Sequence, residues 1–317
     1  MSEAIRKVII IGSGPAGLTA GIYAGRAQLE PLLISGNLLG GQPSETDVIE
    51  NYPGFPEPIS GQDLAQLMQQ QAERFGTRIL QDEVMEVDLS NRPFKVQTQG
   101  DSYQAQALII ATGVSPRKLD VPGEEEFTGR GVSYCAVCDG FFYRDKRVAV
   151  VGGGDSATKE AIFLTRFAEQ VIVIHRRDRL RAERILQQRA FDNDGIDFLW
   201  DSVVREIVGQ RVVTGVQVEN VRNGDASLVP VGGVFIYVGS IPNTEFLRGE
   251  LELDERGYIV TDGRNHTSRR GVFAAGDVQS GVLKQIATAV GSGAVAAMEA
   301  EEYIAELEGR TYLSWSE

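Results

Sequence analysis

The sequence is poor in cysteine, histidine and tryptophan, with two residues of each among its 317. Two cysteines cannot build the disulfide framework of a small secreted domain, so we expect a cytoplasmic protein. No apolar run reaches the roughly 18 residues that a membrane span needs. The run at residues 8–11 stops at Gly12, well short of a signal peptide, so the sequence predicts no membrane association.

Positive charge is also scarce, since 31 Lys and Arg residues face 44 Asp and Glu residues and leave a formal net charge of −13. A nucleic-acid partner needs a basic face and is therefore not indicated. An anionic nucleotide would need its own local cluster of positive charge. With 317 residues, the chain is long enough for two domains of ordinary size.

A glycine-rich turn opens the chain. Residues 7–12 form a β-branched run that indicates a buried parallel strand, and residues 18–26 have helical character. In a strand–turn–helix setting, the spacing G-x-G-x-x-G permits a tight turn and lets a pyrophosphate approach the helix N-terminus. We predict a dinucleotide site formed by Gly12, Gly14, Pro15, Ala16 and Gly17. The generic ribose-binding acid is absent, because Ser35-Gly36 follows the next strand.

The same pattern recurs in the second half of the chain. A strand at 146–152 leads into a second turn, in which Ala157 takes the place of the third glycine. Each turn is followed by a later strand that ends in Gly-x-x-Pro, first at Gly113 and again at Gly239. This repeat predicts an α/β fold with two Rossmann-like three-layer dinucleotide-binding domains.

The C-terminal segment predicts that the second domain is inserted into the first. A strand at 272–277 and a helix at 284–307 are too few elements for a third domain and would complete the first sheet. We place the first domain at 1–117 and 247–317, and the second at 118–246.

Residues 61–75 predict an amphipathic helix, and antiparallel strands are expected at 84–89, 94–98 and 103–107. The residues expected to face inward on the helix are Leu64, Leu67, Met68 and Phe75.

Basic residues stand where the second unit would carry its ribose-binding acid. The strand at 171–174 is followed by His175, Arg176 and Arg177, with Arg181 nearby. Guanidinium groups bind a 2′-phosphate, whereas an acid would repel it. The pattern favours NADPH; the alternative is a solvated basic helix start, and His175 could equally be a packing residue.

Both cysteines lie in one segment, Cys135-Ala-Val-Cys138. This spacing is typical of a dithiol that opens and closes, and it is also half of a zinc site. The other candidate ligands, His175 and His266, are far apart in the sequence. A hydride carrier cannot pass its electrons to a disulfide through side chains, so FAD is the candidate for the first turn.

The motifs together resemble a known family, the bacterial-type low-molecular-weight NADPH-dependent thioredoxin reductases among the pyridine nucleotide-disulfide oxidoreductases. The resemblance spans essentially the whole chain. It rests on Gly12-Ser-Gly-Pro-Ala-Gly17, Gly40-Gly-Gln42, Glu50-Asn51, Ile110-Ala-Thr-Gly113, Cys135-Ala-Val-Cys-Asp-Gly140, Gly152-Gly-Gly-Asp-Ser-Ala157, His175-Arg-Arg-Asp178 and Phe273-Ala-Ala-Gly-Asp277.

The resemblance implies a flavoprotein that carries electrons from NADPH through FAD and a Cys135–Cys138 disulfide to oxidised thioredoxin, and it implies a homodimer. Cys135 would attack thioredoxin, Cys138 would face the flavin, and Asp139 would act as acid–base. The residues implied for FAD are the first glycine turn with Gly41, Gln42, Asn51, Thr112, Gly113, Gly276, Asp277, Lys284, Gln285 and Ile286. Those implied for NADPH are Gly154, Asp155, Ser156, Ala157, His175, Arg176, Arg177 and Arg181.

The sequence departs from the family pattern in two places. Leu283-Lys284-Gln285 replaces the usual aromatic–Arg–Gln, and the tail with Tyr312 and Trp315 is not part of the pattern. Three hypotheses about the function stay open. The first is an NADPH-dependent thioredoxin reductase, and the second is the same relay with a ferredoxin-like donor or another dithiol acceptor. The third is a flavin-binding redox sensor that works without turnover.

Overall fold

The computed structural model describes residues 5–46 and 49–311, except for the side chain of Cys138. The aromatic tail with Tyr312 and Trp315 lies outside the described residues. The chain divides into two compact units. Unit 1 comprises Met1–Ser115 and Ile241–Glu317, and unit 2 comprises Pro116–Ser240. The sequence analysis places its boundaries two and six residues further along, after 117 and after 246.

The described residues form seventeen β-strands and six α-helices. The strands are β1 (Arg6–Ile11), β2 (Leu32–Ile34), β3 (Arg78–Leu80), β4 (Val84–Asp88), β5 (Phe94–Thr98), β6 (Ser102–Ile110), β7 (Val114–Pro116), β8 (Val132–Ser133), β9 (Arg147–Gly152), β10 (Gln170–Ile174), β11 (Ile196–Leu199), β12 (Ser202–Gly209), β13 (Val213–Asn220), β14 (Ala226–Pro230), β15 (Gly233–Tyr237), β16 (Ser240–Pro242) and β17 (Val272–Ala274). The helices are α1 (Pro15–Arg26), α2 (Gly61–Arg74), α3 (Ala136–Asp139), α4 (Asp155–Leu164), α5 (Arg184–Phe191) and α6 (Ile286–Leu307). None of the described helices combines the length and apolarity that a membrane crossing requires.

Unit 1 is built on a seven-stranded sheet. Strands β3, β2, β1 and β6 run parallel in that order, and β17 also pairs with β6 in parallel. Most of β1, all of β2 and the last residues of β6 are buried on both faces, which explains why these stretches are nearly continuous runs of Ile, Leu and Val. Helices α1 and α6 cover one face, and β4 and β5 with residues 247–259 contribute to the core on the other.

Strand β6 corrects one sequence prediction. The segments predicted as two strands, one at 103–107 and one that ends at Gly113, form a single strand from Ser102 to Ile110. Its first half pairs antiparallel with β5, and most of its length pairs with β1. One strand therefore belongs to both the antiparallel and the parallel parts of the sheet.

The inward face of α2 corrects a second sequence prediction. Leu64 and Met68 are buried as predicted, but Leu67 is 49% exposed. Ala72 is fully buried instead. Positions 64, 68 and 72 lie four residues apart on one helix face, whereas Leu67 lies at the margin of that face.

Unit 2 repeats the arrangement with its own parallel sheet, in the order β11-β10-β9-β15-β8. Alternate residues of β9 point to opposite faces. Val148 and Val150 pack in a cluster with α4 and α5, and Ala149 and Val151 pack in a cluster with the antiparallel sheet β12-β13-β14. The unit is therefore a layer of helices, a parallel sheet and a layer of antiparallel strands.

The two Gly-x-x-Pro segments of the sequence repeat meet in the structure. Strand β7, after Gly113, pairs with strand β16, after Gly239, as a separate two-stranded sheet. These are the two places where the chain passes from one unit to the other.

Candidate functional site

The first glycine turn follows β1 in unit 1, at the end of the central parallel strand. Gly12 has a φ of +107°, and a Cβ added to it would lie 2.3 Å from the carbonyl oxygen of Ala111. A Cβ on Gly17 would lie 1.9 Å from the Gly12 carbonyl oxygen. Glycine is therefore required at both positions by the contact between backbone segments.

Gly14 differs from Gly12 and Gly17, because a Cβ added to Gly14 would meet nothing within 4 Å. It is the N-cap residue of α1, Pro15 is the next residue, and no side chain caps the helix. The first turn of α1 also holds no acidic residue. The N-terminal N–H groups of α1 are thus left without a side-chain acceptor, as an approaching phosphate requires.

Ser13 is a residue that the sequence analysis did not single out. Its buried hydroxyl donates to the carbonyl oxygen of Ser35 at 3.0 Å, and it also lies 3.2 Å from that of Leu38. The turn after β1 is therefore tied to the segment after β2. Gly41 continues this segment with a φ of +64°, and its added Cβ would approach the Cα of Gly14 to 3.0 Å.

Polar side chains from separate loops meet at the same edge of the sheet. Gln42 donates from Nε2 to the Val114 carbonyl oxygen at 2.9 Å, and Asn51 donates to the Gln285 side chain at 3.1 Å. Gln285 is the residue before α6, which begins at Ile286. The segment of Gln42 is therefore linked to the turn after Gly113, and the segment of Asn51 to the start of α6.

Asn243 organises the turn after β6, and sequence reasoning missed it. Thr112 donates to its carbonyl oxygen at 2.7 Å, and its side-chain amide returns a bond to the Thr112 carbonyl oxygen at 2.9 Å. Its N–H also donates to the Gly113 carbonyl oxygen at 3.1 Å. Only its place after Pro242 in the second Gly-x-x-Pro segment could have signalled it.

Gly276 and Asp277 follow β17. The Gly276 N–H donates to the hydroxyl of Ser292 at 2.9 Å, and a Cβ on Gly276 would lie 2.8 Å from that of Ala16. Burial raises the pKa of Asp277, and the positive charge of Lys284 opposes that rise. Lys284 donates to the hydroxyl of Tyr258, with its ammonium 4.3 Å from the ring centre.

The second glycine turn follows β9 in unit 2 and has a similar construction, except that the first turn of α4 holds the acidic residue Asp155. Gly152 has a φ of +151°, and its added Cβ would lie 2.4 Å from the Tyr237 carbonyl oxygen and 2.7 Å from the Cβ of Ala157. Gly154 is the N-cap of α4, without a side-chain cap and without contacts to an added Cβ. Asp155 accepts a bond from the Glu183 N–H at 2.8 Å, and Ser156 is exposed.

His175 lies against this turn, 4% exposed, where a Cβ on Gly153 would come within 2.5 Å of its ring. Burial and the charges of Arg181, Arg177 and Arg176 lower its pKa, which favours the neutral ring. Its Nε2 has no hydrogen-bond partner among the described residues. His175 is therefore in part the packing residue that the sequence analysis allowed for.

The three arginines are exposed. Across residues 5–46 and 49–311, no ion pair or side-chain hydrogen bond occupies Arg176, Arg177 or Arg181. The neighbouring acids Asp178 and Asp201 pair instead with Arg222. The cluster thus keeps its guanidinium groups available to an anion.

Cys135 follows β8 and is disulfide-bonded, which leaves it no thiolate to offer zinc. Its N–H donates to the Ser133 hydroxyl at 3.0 Å, and its carbonyl oxygen accepts from the Asp139 N–H at 3.2 Å. Cys138 lies in α3, and its side chain is outside the described residues. Asp139 is half-buried, and its charge adds to burial in raising the pKa of Tyr143.

Comparisons with known proteins agree with this arrangement. Residues 6–293 match the model of the pyridine nucleotide-disulphide oxidoreductases. The thioredoxin reductase of Rickettsia felis is 50% identical over 303 residues, which are 94% of this chain and 98% of that protein. That of Listeria monocytogenes is 49% identical over 308 residues, 96% of each chain. The crystal structure of Lactococcus lactis thioredoxin reductase has a TM-score of 0.93 at 46% identity and covers 95% of this chain and 99% of that one.

The chain belongs to the pyridine nucleotide-disulphide oxidoreductase family. Its fold, predicted as two dinucleotide-binding domains, is confirmed. Its function, predicted as that of a flavoprotein disulfide reductase, is confirmed as well, and the relay with another donor or acceptor is not favoured.

The residues of this oxidoreductase fit the cofactors of the family. Both glycine turns present an uncapped helix N-terminus beside a glycine whose Cβ position is open, at Gly14 and at Gly154. The turns after β1, β6 and β17 of unit 1 all lie at the carboxyl ends of parallel strands, where dinucleotides bind in such sheets. In unit 2, His175 packs against the turn after β9, and the N–H of Arg181 donates to the carbonyl oxygen of Gly153 in that turn.

Proposed function

We propose that this oxidoreductase uses NADPH to reduce oxidised thioredoxin, with FAD held by unit 1 and a Cys135–Cys138 disulfide as the redox-active group. The net reaction is NADPH + H⁺ + thioredoxin disulfide → NADP⁺ + thioredoxin dithiol, which balances in atoms and electrons. The observation that carries the proposal is the disulfide at Cys135, in a segment that pairs with the parallel sheet of unit 2. The sequence holds one other cysteine, Cys138, which supports that pairing.

The arginine cluster supports NADPH over NADH as the donor. The cofactors differ by one phosphate on the adenosine ribose, and Arg176, Arg177 and Arg181 follow the strand after which this ribose is recognised. Their guanidinium groups are exposed and carry no acidic partner among the described residues. A 2′-phosphate would satisfy them through charge-assisted hydrogen bonds.

For the flavin, we propose that the turn from Gly12 to Gly17 holds the pyrophosphate and that Asp277 binds the ribityl chain. The side chains of Gln42, Asn51, Thr112, Lys284 and Gln285, with Gly41, Gly113, Gly276 and Ile286, would line the rest of the site. Bound FAD supplies a carrier that accepts a hydride and delivers two electrons to a disulfide.

A protein acceptor is supported by the surface beside the dithiol. Phe141 and Phe142 follow Asp139 closely and are 60% and 69% exposed. Aromatic residues are enriched in protein–protein interfaces. Cys135 would attack the thioredoxin disulfide as a thiolate, and Asp139 would supply the proton that a departing thiolate takes up.

The family likeness also supports a homodimer, and the low cysteine count supports a cytoplasmic location. A two-chain mass in analytical ultracentrifugation is expected for the purified holoenzyme. A single-chain mass at micromolar concentration would contradict the dimer and leave the relay untouched.

An anaerobic titration tests the donor and the acceptor separately. Stoichiometric NADPH should bleach the flavin absorbance, and oxidised thioredoxin should restore it; NADH at the same concentration is the control donor. If NADPH leaves the flavin oxidised and a reduced ferredoxin bleaches it, the assignment of NADPH as the donor is overturned. If NADPH reduces the flavin and no thioredoxin in a panel reoxidises it, the assignment of thioredoxin as the acceptor is overturned.

A further inference from the structure

Tyr237 joins two parts of unit 2. It is the last residue of β15 and pairs in register with Gly152, where the second glycine turn begins. Its hydroxyl accepts a hydrogen bond from the N–H of Ala136 at 2.9 Å. Ala136 is the residue next to Cys135, so Tyr237 contacts the main chain of the redox segment directly.

The Ala136 N–H depends on this acceptor. Ala136 is 0% exposed and is the first residue of α3, where no earlier helical carbonyl group is available. A buried N–H without an acceptor costs free energy comparable to that of a lost hydrogen bond. The Tyr237 hydroxyl supplies that acceptor while Cys135 is in the disulfide.

We propose that Tyr237 is a positioning residue that biases the redox pair toward the disulfide. A closed Cys-x-x-Cys ring restrains the backbone of residues 135–138, so Ala136 cannot turn its N–H to another acceptor. The open dithiol relaxes this restraint. Loss of the Tyr237 hydroxyl therefore costs more in the disulfide state than in the dithiol state.

The test is the thiol–disulfide equilibrium of Tyr237→Phe. The holoenzyme is equilibrated in buffers of reduced and oxidised dithiothreitol, quenched in acid, alkylated and analysed by mass. In each exchange, dithiothreitol gives two electrons and two protons to the protein disulfide and becomes a cyclic disulfide. Tyr237→Phe should shift the equilibrium constant about threefold to tenfold toward the dithiol, equivalent to roughly 15 to 30 mV.

Tyr134→Phe is the matched control, because it also removes one tyrosine hydroxyl, from the residue that precedes Cys135 in the sequence. The Tyr134 hydroxyl donates to the buried carboxylate of Glu124 at 2.6 Å and not to the main chain of the redox segment. Its equilibrium constant should stay within about twofold of the parent value. The phenylalanine ring retains the packing of Tyr237, and circular dichroism and flavin content check that both variants fold.

The outcomes separate this inference from the proposed function on which it rests. If the parent shows no two-thiol change between oxidising and reducing buffers, the Cys135–Cys138 disulfide itself is wrong. If the parent shows the change but Tyr237→Phe stays within twofold or shifts toward the disulfide, the role of Tyr237 is overturned. An equal shift in both variants would indicate general loosening and would overturn it too.

Discussion

The N–H of Arg181 donates a hydrogen bond to the carbonyl oxygen of Gly153, and the N···O distance is 2.6 Å. This bond fixes the loop that carries the arginine cluster directly to the second glycine turn. The residues expected to bind the pyrophosphate and those expected to bind the 2′-phosphate are therefore held together by the backbone.

Replacement of Arg176 and Arg177 by alanine should raise the KM for NADPH about 10- to 100-fold, because hydrogen bonds to charged groups contribute about 1.5–3 kcal/mol each. The KM for NADH should change less than about twofold, since NADH lacks the phosphate. Steady-state kinetics with both donors and one thioredoxin measure the ratio.

Arg179→Ala is the control for charge alone. Arg179 is an exposed guanidinium in the same loop and is not among the residues predicted for the cofactor. The Arg179→Ala variant should keep the ratio of the KM values for NADH and NADPH within about twofold of the parent ratio. Equal losses toward both donors in the Arg176 and Arg177 variants would show that the cluster does not recognise the 2′-phosphate.

The first glycine turn allows stability and flavin binding to be separated. Gly17→Ala forces a Cβ to 1.9 Å from the Gly12 carbonyl oxygen, so the free energy of unfolding should fall by about 1–3 kcal/mol or more. Gly14→Ala meets no protein atom, and its φ of −65° suits alanine. Urea denaturation of the flavin-free protein should place it within about 0.5 kcal/mol of the parent.

The flavin content should separate the same two variants. Because the Gly14 Cβ would occupy the side on which we place the pyrophosphate, Gly14→Ala should purify with little FAD despite its normal stability. Full flavin occupancy in Gly14→Ala would show that the pyrophosphate of FAD does not bind at this turn.

Asp277→Asn should stabilise the flavin-free protein and weaken FAD binding about 10- to 100-fold, the value of a hydrogen bond from a ribityl hydroxyl to a charged group. Burial raises the pKa of Asp277 above its ordinary value of 3.8, so the folded state binds this proton more tightly than the unfolded state. Its contribution to stability is present below pH 3.8 and is lost as the pH rises through the raised value.

Chemical denaturation at several pH values checks this sign. The difference in unfolding free energy between Asp277→Asn and the parent should grow with pH across that window and then level off. Lys284→Met is the companion variant: without the nearby cation, the pKa of Asp277 should rise further and the window should widen. A difference that is constant with pH would contradict the buried carboxylate.

Cys135→Ser should abolish thioredoxin reduction by at least about a thousandfold, because a serine hydroxyl replaces the proposed attacking thiolate. NADPH should still bleach the flavin in a stopped-flow experiment, which serves as the internal control for cofactor binding. Thioredoxin turnover that survives in this variant would rule out Cys135 as the attacking sulfur.

Local patterns predicted the parts of the fold that depend on adjacent residues. Both glycine turns were recognisable because backbone contact excludes a Cβ at Gly12 and Gly17, and buried parallel strands must be apolar on both faces. The fold class and the disulfide reductase function are confirmed. The domain boundaries and the roles of individual site residues stay predictions.

Contacts between distant segments could not be predicted from local patterns. Ser13 and Asn243 act through hydrogen bonds to carbonyl groups remote in the sequence, and any polar residue in a loop could have made such bonds. The change of partners along β6 likewise depends on where β5 and β17 pack. Leu67 was wrongly placed in the core because the hydrophobic pattern of α2 does not define how wide its buried face is.

The close packing of α1 against α6 determines when unit 1 can be completed during synthesis. Gly293 lies so near Ala16 that an added Cβ would be 2.1 Å from its carbonyl oxygen, and β17 supplies a strand of the first sheet. The ribosome makes these C-terminal pieces only after all of Pro116–Ser240. The nascent chain can therefore fold unit 2 first. Unit 1, whose synthesis begins earlier, can be completed only after α6 has been synthesised.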